Sequence, residues 1–435
     1  MADDKTQTWW QRLRIGGDKP LWIIFVVLAF VSMFVVYSST TSSLYGSTTA
    51  GHHLTRFFKQ LIYVIIGLVA VWAVHRLDYQ RYGRWAYAAY IVSLGFMVLT
   101  MFFGVNKFGA QRWLEVPILG ITFQPSDLLK VTTVMVLSLQ LAGRQLMVEK
   151  HNLIPSLALI RRNRSKAWRL IKEQTFPVFG PILISCGFIV PENMSTALLM
   201  GATCVVILII GRVKWADIAR FLIISAVFGS VMLGGMLLME GFSGEESRLK
   251  TWGNRITALF NPEKLEQQVT ENGNKKDYFY QINQAKIAIA MGKLTGRGAG
   301  QSAQRHMLPK AESDYAFAFL VEEWGFVGAL LVVVMYLWIF YRAIVIFNKC
   351  GTAFPCLLVL GLAFLITFQA LLNMMVATGL MFQTGLALPL ISQGGSSELF
   401  TSVAIGMILG VSRQIEEKTL TTPRGESMLE NNRKK

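Results

Sequence analysis

The sequence predicts an all-α protein that crosses the bilayer about ten times. Of its 435 residues 53% are hydrophobic and 16% charged, and the mean hydropathy is +0.44. The apolar residues fall in long runs rather than in the period-2 or period-3.6 stripes of a soluble core. Runs such as 21–36, 61–74 and 330–340 carry no charge. With their flanks they approach the roughly 20 residues a helix needs to cross about 30 Å of hydrocarbon. Backbone polar groups find no water in lipid, and the runs lack the alternation of barrel strands, which leaves helices as the spanning element.

Spans are expected near 21–38, 57–75, 85–103, 127–142, 178–190, 195–211, 219–239, 316–346, 353–377 and 397–412. The first follows a charged leader and precedes Ser/Thr-rich sequence (38–49) rather than a small-residue cleavage site, so it reads as a retained span. An even count puts both termini on one side. Basic residues mark that side: Lys5, Arg12, Arg14 and Lys19 in the leader, then Arg76, Arg81, Arg84, Arg212, Lys214, Arg342 and Lys349 in alternate turns. The tail adds Arg413, Lys418, Arg424, Arg433, Lys434 and Lys435. Under the positive-inside rule both termini are cytoplasmic.

The chain thus divides into an N-terminal cytoplasmic tail (1–19), a transmembrane domain (20–413) and a basic C-terminal tail (414–435). Of the four cysteines, Cys186 and Cys204 lie in apolar runs and Cys350 and Cys356 flank a turn, which argues against a disulfide framework.

Two loops interrupt the rhythm. The cytoplasmic loop 143–176 holds Arg144, Lys150, Arg161, Arg162, Arg164, Lys166, Arg169 and Lys172 among Leu159, Ile160, Trp168 and Ile171. It suits either an amphipathic segment on anionic headgroups or a solvated loop carrying topology charge. The net charge of +16 is spread over membrane-flanking turns without stacking aromatics, which excludes a nucleic-acid partner. The long extracytoplasmic loop before the eighth span, 240–315, escapes the charge rule because of its length. Its apolar stretch 282–291 runs into a glycine series, Gly292, Gly296, Gly298 and Gly300, suited to tight turns, a close approach or a flexible connector.

Ionisable groups at membrane depth are costly and mark candidate chemistry. In 123–130 (FQPSDLLK), Pro125 fits a first helical turn, and Asp127 and Lys130 share a helix face three apart, as a local ion pair or as part of a site. In 308–325, Asp314 stands where the long loop enters the eighth span, where a carboxylate serves as a base or Ser313/Asp314 as a helix cap. Glu322 and Glu323 follow about 12 Å deeper and need a polar cavity, a cation or a proton. In 384–397, Gly394, Gly395, Ser396 and Ser397 open a helix where an anion would suit the free amides, or merely reverse the chain.

These segments together resemble the SEDS family of glycosyltransferases (shape, elongation, division and sporulation), which includes FtsW-like and RodA-like proteins. NKFGAQRW (106–113) with FQPSDLLK, the stretch from Tyr280-Gln281 through Gly296, Gly298, Gly300 and Ser302 to LPKAESDYAFAFLVEEWGFVG, and LPLISQGGSS (388–397) are similar to the family's ordered motifs. Departures are Lys310 for Glu, Gln393 for Tyr, Met381-Phe382-Gln383 for a Leu-Pro-Val-like run, and Asn193 for Asp.

The resemblance implies polymerisation of lipid II outside the cytoplasmic (inner) membrane, with release of undecaprenyl pyrophosphate. It implies Asp314 as general base. Arg112, Lys130, Gln281, Glu323, Ser396 and Ser397 are the implied substrate contacts, with Arg112 and Lys130 at the leaving pyrophosphate. No spacing matches a metal cage, and a divalent cation, magnesium or manganese, stays open as a helper. Implied partners are a class B penicillin-binding protein transpeptidase, other division proteins and membrane lipids. The basic loop and tail lean towards division at the septum. Alternatives are a lipid II flippase or transporter acting without covalent chemistry, a RodA-like elongation polymerase, and a scaffold without turnover.

Overall fold

The computed structural model describes residues 16–40, 51–107, 110–116, 121–243, 276–304, 314–392 and 394–420. It opens with helices α1 (Lys19–Thr40), α2 (Gly51–His75) and α3 (Tyr79–Phe103). Three short strands follow, β1 (Val105–Lys107), β2 (Ala110–Val116) and β3 (Ile121–Phe123), paired antiparallel in that order and leading into α4 (Pro125–Ala142). The basic loop folds as α5 (Gln145–Lys150), α6 (Leu157–Arg162) and α7 (Arg164–Leu170), and α7 runs through one π-turn (Ile171–Thr175) into α8 (Phe176–Ile189). Next come α9 (Met194–Ile210), α10 (Trp215–Ser243), α11 (Lys276–Gly292), α12 (Ala316–Lys349), α13 (Ala353–Ala377) and α14 (Gly395–Leu420).

A helix covers each of the ten segments expected from hydropathy, and among the described residues seven (α1, α2, α3, α10, α12, α13, α14) are long and apolar enough to cross a membrane. The fold is that of a polytopic α-helical membrane protein. The small sheet was not anticipated, since strands of three and seven residues leave too weak a period-2 signal.

Helix α13 is the core. Its 25 residues carry no charge, and it packs against α4, α9, α12 and α14. Lipid-facing helices look different: α10 is buried over only 17% of its apolar window, α13 over 78%. An ion pair ties two of the described helices. Arg342 Nε lies 3.1 Å from both Asp18 oxygens and fastens the start of α1 to the end of α12.

The glycine series is a built joint rather than a loose connector. Gly325 breaks α12 at φ 69°, ψ −170°, and the chain after α11 folds into the break. Arg297 N donates to Glu322 O (3.0 Å), Gly298 N to Glu323 O (3.0 Å) and Phe326 N to Lys293 O (2.9 Å). A Cβ at Gly296, where φ is +79°, would sit 2.0 Å from Glu323 O, so only glycine fits. Glu322 is fully buried and accepts from Ala303 N (2.8 Å), Gln304 N (3.3 Å) and Ser302 Oγ, with Arg297 Nη1 at 3.6 Å. Amides and a guanidinium thus supply what this buried carboxylate needs. Residues 305–313, including Lys310, lie outside the described residues. Helix α12 starts at Ala316 with Tyr315 in the cap position and no side-chain cap bond, so Asp314 stands just before the helix rather than capping it.

Candidate functional site

The segment between α13 and α14 is the hub. Residues 382–388 have no regular secondary structure, and the described residues of the segment include three in the left-handed region, Gly379 (φ 77°), Gly385 (φ 65°) and the buried Leu390 (φ 64°). A bulky residue there is strained and must be held by its surroundings. Non-helical backbone at membrane depth also needs every carbonyl matched. The matching comes from polar side chains on otherwise apolar helices. Asn193 Nδ2 donates to Thr384 O (3.4 Å), Asn373 Nδ2 to Leu386 O (2.7 Å), Gln369 Nε2 to Ala387 O (3.0 Å), and the Tyr336 hydroxyl to Pro389 O. Ser392 Oγ accepts from Leu388 N at 2.8 Å.

The same side chains also bond to two of the residues singled out from sequence. Asn373 Nδ2 also donates to the backbone oxygen of Asp314 at 3.0 Å. Gln369 Oε1 accepts from Lys130 Nζ at 2.9 Å. Gln369 and Asn373 are four apart, so Asp314 and Lys130 meet one face of α13 about 6 Å apart along its axis.

Lys130 also pairs with Asp127 at 2.8 Å, with the two side chains 6% and 9% exposed. Two of its three ammonium donors are therefore committed to Asp127 and Gln369. A cavity of about 20 Å³, room for one water, lies among Asp127, Lys130, Gln369, Ser397 and Phe400. Pro125 takes the first turn of α4 as expected, which lets β3 enter the helix without stranding an amide.

Arg112, on β2, is half-buried and reaches the opposite edge of the hub. A Cβ added at the exposed Gly385 would lie 3.9 Å from Arg112 Nη1 and 3.9 Å from Asn193 Nδ2. Arg112 thus stands beside the exposed Gly385, whereas Lys130 is buried. Asn193 is the N-cap of α9, its Oδ1 accepting from Ser195 N (3.1 Å) and Thr196 N (3.4 Å). Gln281, on α11, accepts from Gln383 Nε2 at 3.1 Å, which joins the outer helix to the hub. Ser396 Oγ accepts from Gln124 N at 3.1 Å and so ties the start of α14 to the start of α4.

Glu323 stands apart. It accepts from Gly300 N at 3.0 Å and from the Ser38 hydroxyl of α1, bracing the glycine joint rather than facing the hub. Among the described residues no three His, Cys, Asp or Glu side chains converge as a metal cluster, and Asp127 is already paired with Lys130. Among the described residues the donor set does not fit a dedicated divalent-cation site. Asn373, Gln369 and Tyr336 were not foreseen as site residues. The available signal was two amides at i and i+4 in a chargeless helix.

A family model described as cell cycle protein, covering FtsW, RodA and SpoVE, matches residues 18–417. A probable peptidoglycan glycosyltransferase FtsW of Trichlorobacter lovleyi is 29% identical over 410 residues, covering 93% of this chain and 96% of that protein. Stage V sporulation protein E of Bacillus subtilis is 26% identical over 405 residues, covering 92% and 98%. Among solved structures, a chain of a peptidoglycan synthase complex that coordinates polymerization and crosslinking superposes with TM-score 0.61 at 20% identity, covering 92% of this chain and 99% of that one.

Proposed function

Because the chain belongs to the FtsW, RodA and SpoVE family of cell cycle proteins, we propose that it is a peptidoglycan glycosyltransferase that polymerises lipid II into glycan strands and releases undecaprenyl pyrophosphate. The observation that carries the site assignment is the bracket on α13. Asn373 and Gln369 hold Asp314 and Lys130 on one face, and Arg112 stands across the hub at Gly385.

In this reading the acceptor sugar's hydroxyl attacks the anomeric carbon of the lipid-linked donor, inverting it. Asp314 takes the hydroxyl proton as the carbon–oxygen bond forms, and the pyrophosphate leaves with the electrons of the broken bond. Arg112, beside Gly385, meets the pyrophosphate oxygens with its planar fork of donors. Lys130 adds positive charge from its buried position, where low dielectric strengthens it. Gln281, Ser396 and Ser397 line the approach, and Glu323 acts through the joint that positions α11 and α12.

Both termini are cytoplasmic, Asp314 faces the extracytoplasmic side, the role is in division at the septum, and the partner is a class B penicillin-binding protein transpeptidase. The basic turns and the FtsW relatives support this. Purified protein given lipid II in detergent, where no flipping is needed, should form polymer on a gel of labelled product. A protein that binds lipid II yet yields no polymer, alone or with the transpeptidase, would make it a lipid transporter instead.

A further inference from the structure

The basic loop carries an inference independent of the catalytic hub. Helix α8 has only 14 residues, about 21 Å at 1.5 Å per residue, too short to cross about 30 Å of hydrocarbon. It continues without a break through the π-turn into α7. Counting about 20 residues back from Ile189 puts the hydrocarbon edge near Leu170, with Lys172 just inside it. Trp168 then stands about 3 Å beyond the edge, within a headgroup layer about 5–7 Å thick, and Arg164 about 9 Å beyond it, just past that layer. Long cationic side chains turn towards that layer from either side.

The four residues Arg164, Trp168, Lys172 and Phe176 are spaced by four, and all are exposed. Trp168 is 68% and Phe176 61% exposed. A π-turn advances less per residue than an α-helix, which keeps Trp168 and Phe176 on one face across the junction. Of the twelve residues 164–175, only Ala167 is buried. The loop is nevertheless fixed in place. The fully buried Asp217 accepts from Leu153 N (2.7 Å) and Ile154 N (3.3 Å) and pairs with Arg220 at 2.9 Å, while Arg144 Nη2 donates to Glu173 O at 3.4 Å. Glu173, beside Lys172, is the single carboxylate in 157–176 against Arg161, Arg162, Arg164, Lys166, Arg169 and Lys172.

We propose that the face formed by Arg164, Trp168, Lys172 and Phe176 binds an anionic phospholipid, its phosphodiester between the two cations, its glycerol backbone against Trp168 and its acyl chain along Phe176. Alternating cation and aromatic at the depth where headgroup gives way to hydrocarbon is what such a lipid requires, and an acidic polypeptide would leave Phe176 without a partner.

The test is lipid titration of the purified, delipidated full chain by native mass spectrometry, with short-chain phosphatidylglycerol against phosphatidylcholine. Wild type should retain phosphatidylglycerol at least tenfold more tightly. Each membrane-adjacent cation strengthens such binding roughly fivefold, so Arg164→Gln with Lys172→Gln should weaken it about twenty-five-fold. Arg164→Lys with Lys172→Arg should bind as wild type, and unchanged thermal unfolding of both doubles without lipid establishes intact folding. Equal binding of the two lipids, or an unaltered Gln double variant, overturns the proposal. So does displacement of phosphatidylglycerol by inorganic phosphate or a polyglutamate peptide at matched charge, which would make the face an anion or protein site.

Discussion

Replacing Asn373 with Leu removes the bracket on Asp314 while keeping the same number and branching of side-chain heavy atoms. The amide nitrogen donates to two carbonyls, Asp314 O at 3.0 Å and Leu386 O at 2.7 Å. Each carbonyl stranded away from water costs about 1–3 kcal/mol, so the two together cost about 2–6 kcal/mol. Part of that is relieved if the chain around Asp314 and Leu386 shifts to find other donors. Such a shift is what catalysis tolerates least, since a displacement of about 1 Å can cost about a hundredfold in rate. Asn373→Leu should therefore lower lipid II polymerisation about a hundredfold while the protein still purifies as a single species with a depressed unfolding temperature. The assay is time-resolved gel analysis of labelled glycan product at saturating lipid II, with thermal unfolding in the same detergent. Polymerisation within a few-fold of wild type, at equal stability, would refute the bracket as the element that positions Asp314.

Lys130→Met should cost about 3–5 kcal/mol because it leaves Asp127 buried and uncompensated, and adding Asp127→Asn should recover most of the stability. Polymerisation should stay lost in that double variant; its return would show Lys130 to be only a structural partner. Gly296→Ala should abolish monodisperse protein on size exclusion, given a Cβ only 2.0 Å from Glu323 O, whereas Gly300→Ala, with open space around it, should cost only the left-handed backbone strain of about 1–3 kcal/mol. Equal behaviour of the two glycine variants would remove the joint from the account. Asn193→Ala should destabilise by about 0.5–2 kcal/mol through loss of the α9 cap, and a null effect in thermal unfolding would contradict the capping bonds.

The membrane helices were legible because each carries its own signal: an uncharged run long enough to cross lipid writes its structure into its composition, as α13 does. Asp127 and Lys130 were legible as an ion pair because helical spacing alone places them together. What the chain hides is the partnership between segments far apart. Nothing near Asn373 announces that it will meet Asp314 59 residues away, and the glycine series reads as a flexible connector until α12 is seen to break at Gly325. Glu323 is a substrate contact by resemblance alone, and only the fold brings Ser38 and Gly300 to its carboxylate. The continuation of α8 into α7 was equally hidden, since its charges interrupt the apolar run where the helix does not end.

The central claim is that the Asp314 carboxylate removes the proton from the attacking sugar hydroxyl. Asp314→Asn is nearly isosteric and leaves the backbone oxygen that Asn373 holds in place, so the variant should fold and bind lipid II as wild type does. Its polymerisation of lipid II, measured on purified protein, should fall to the level of a no-enzyme control. Polymer formed at a rate comparable to wild type would contradict the account at its foundation.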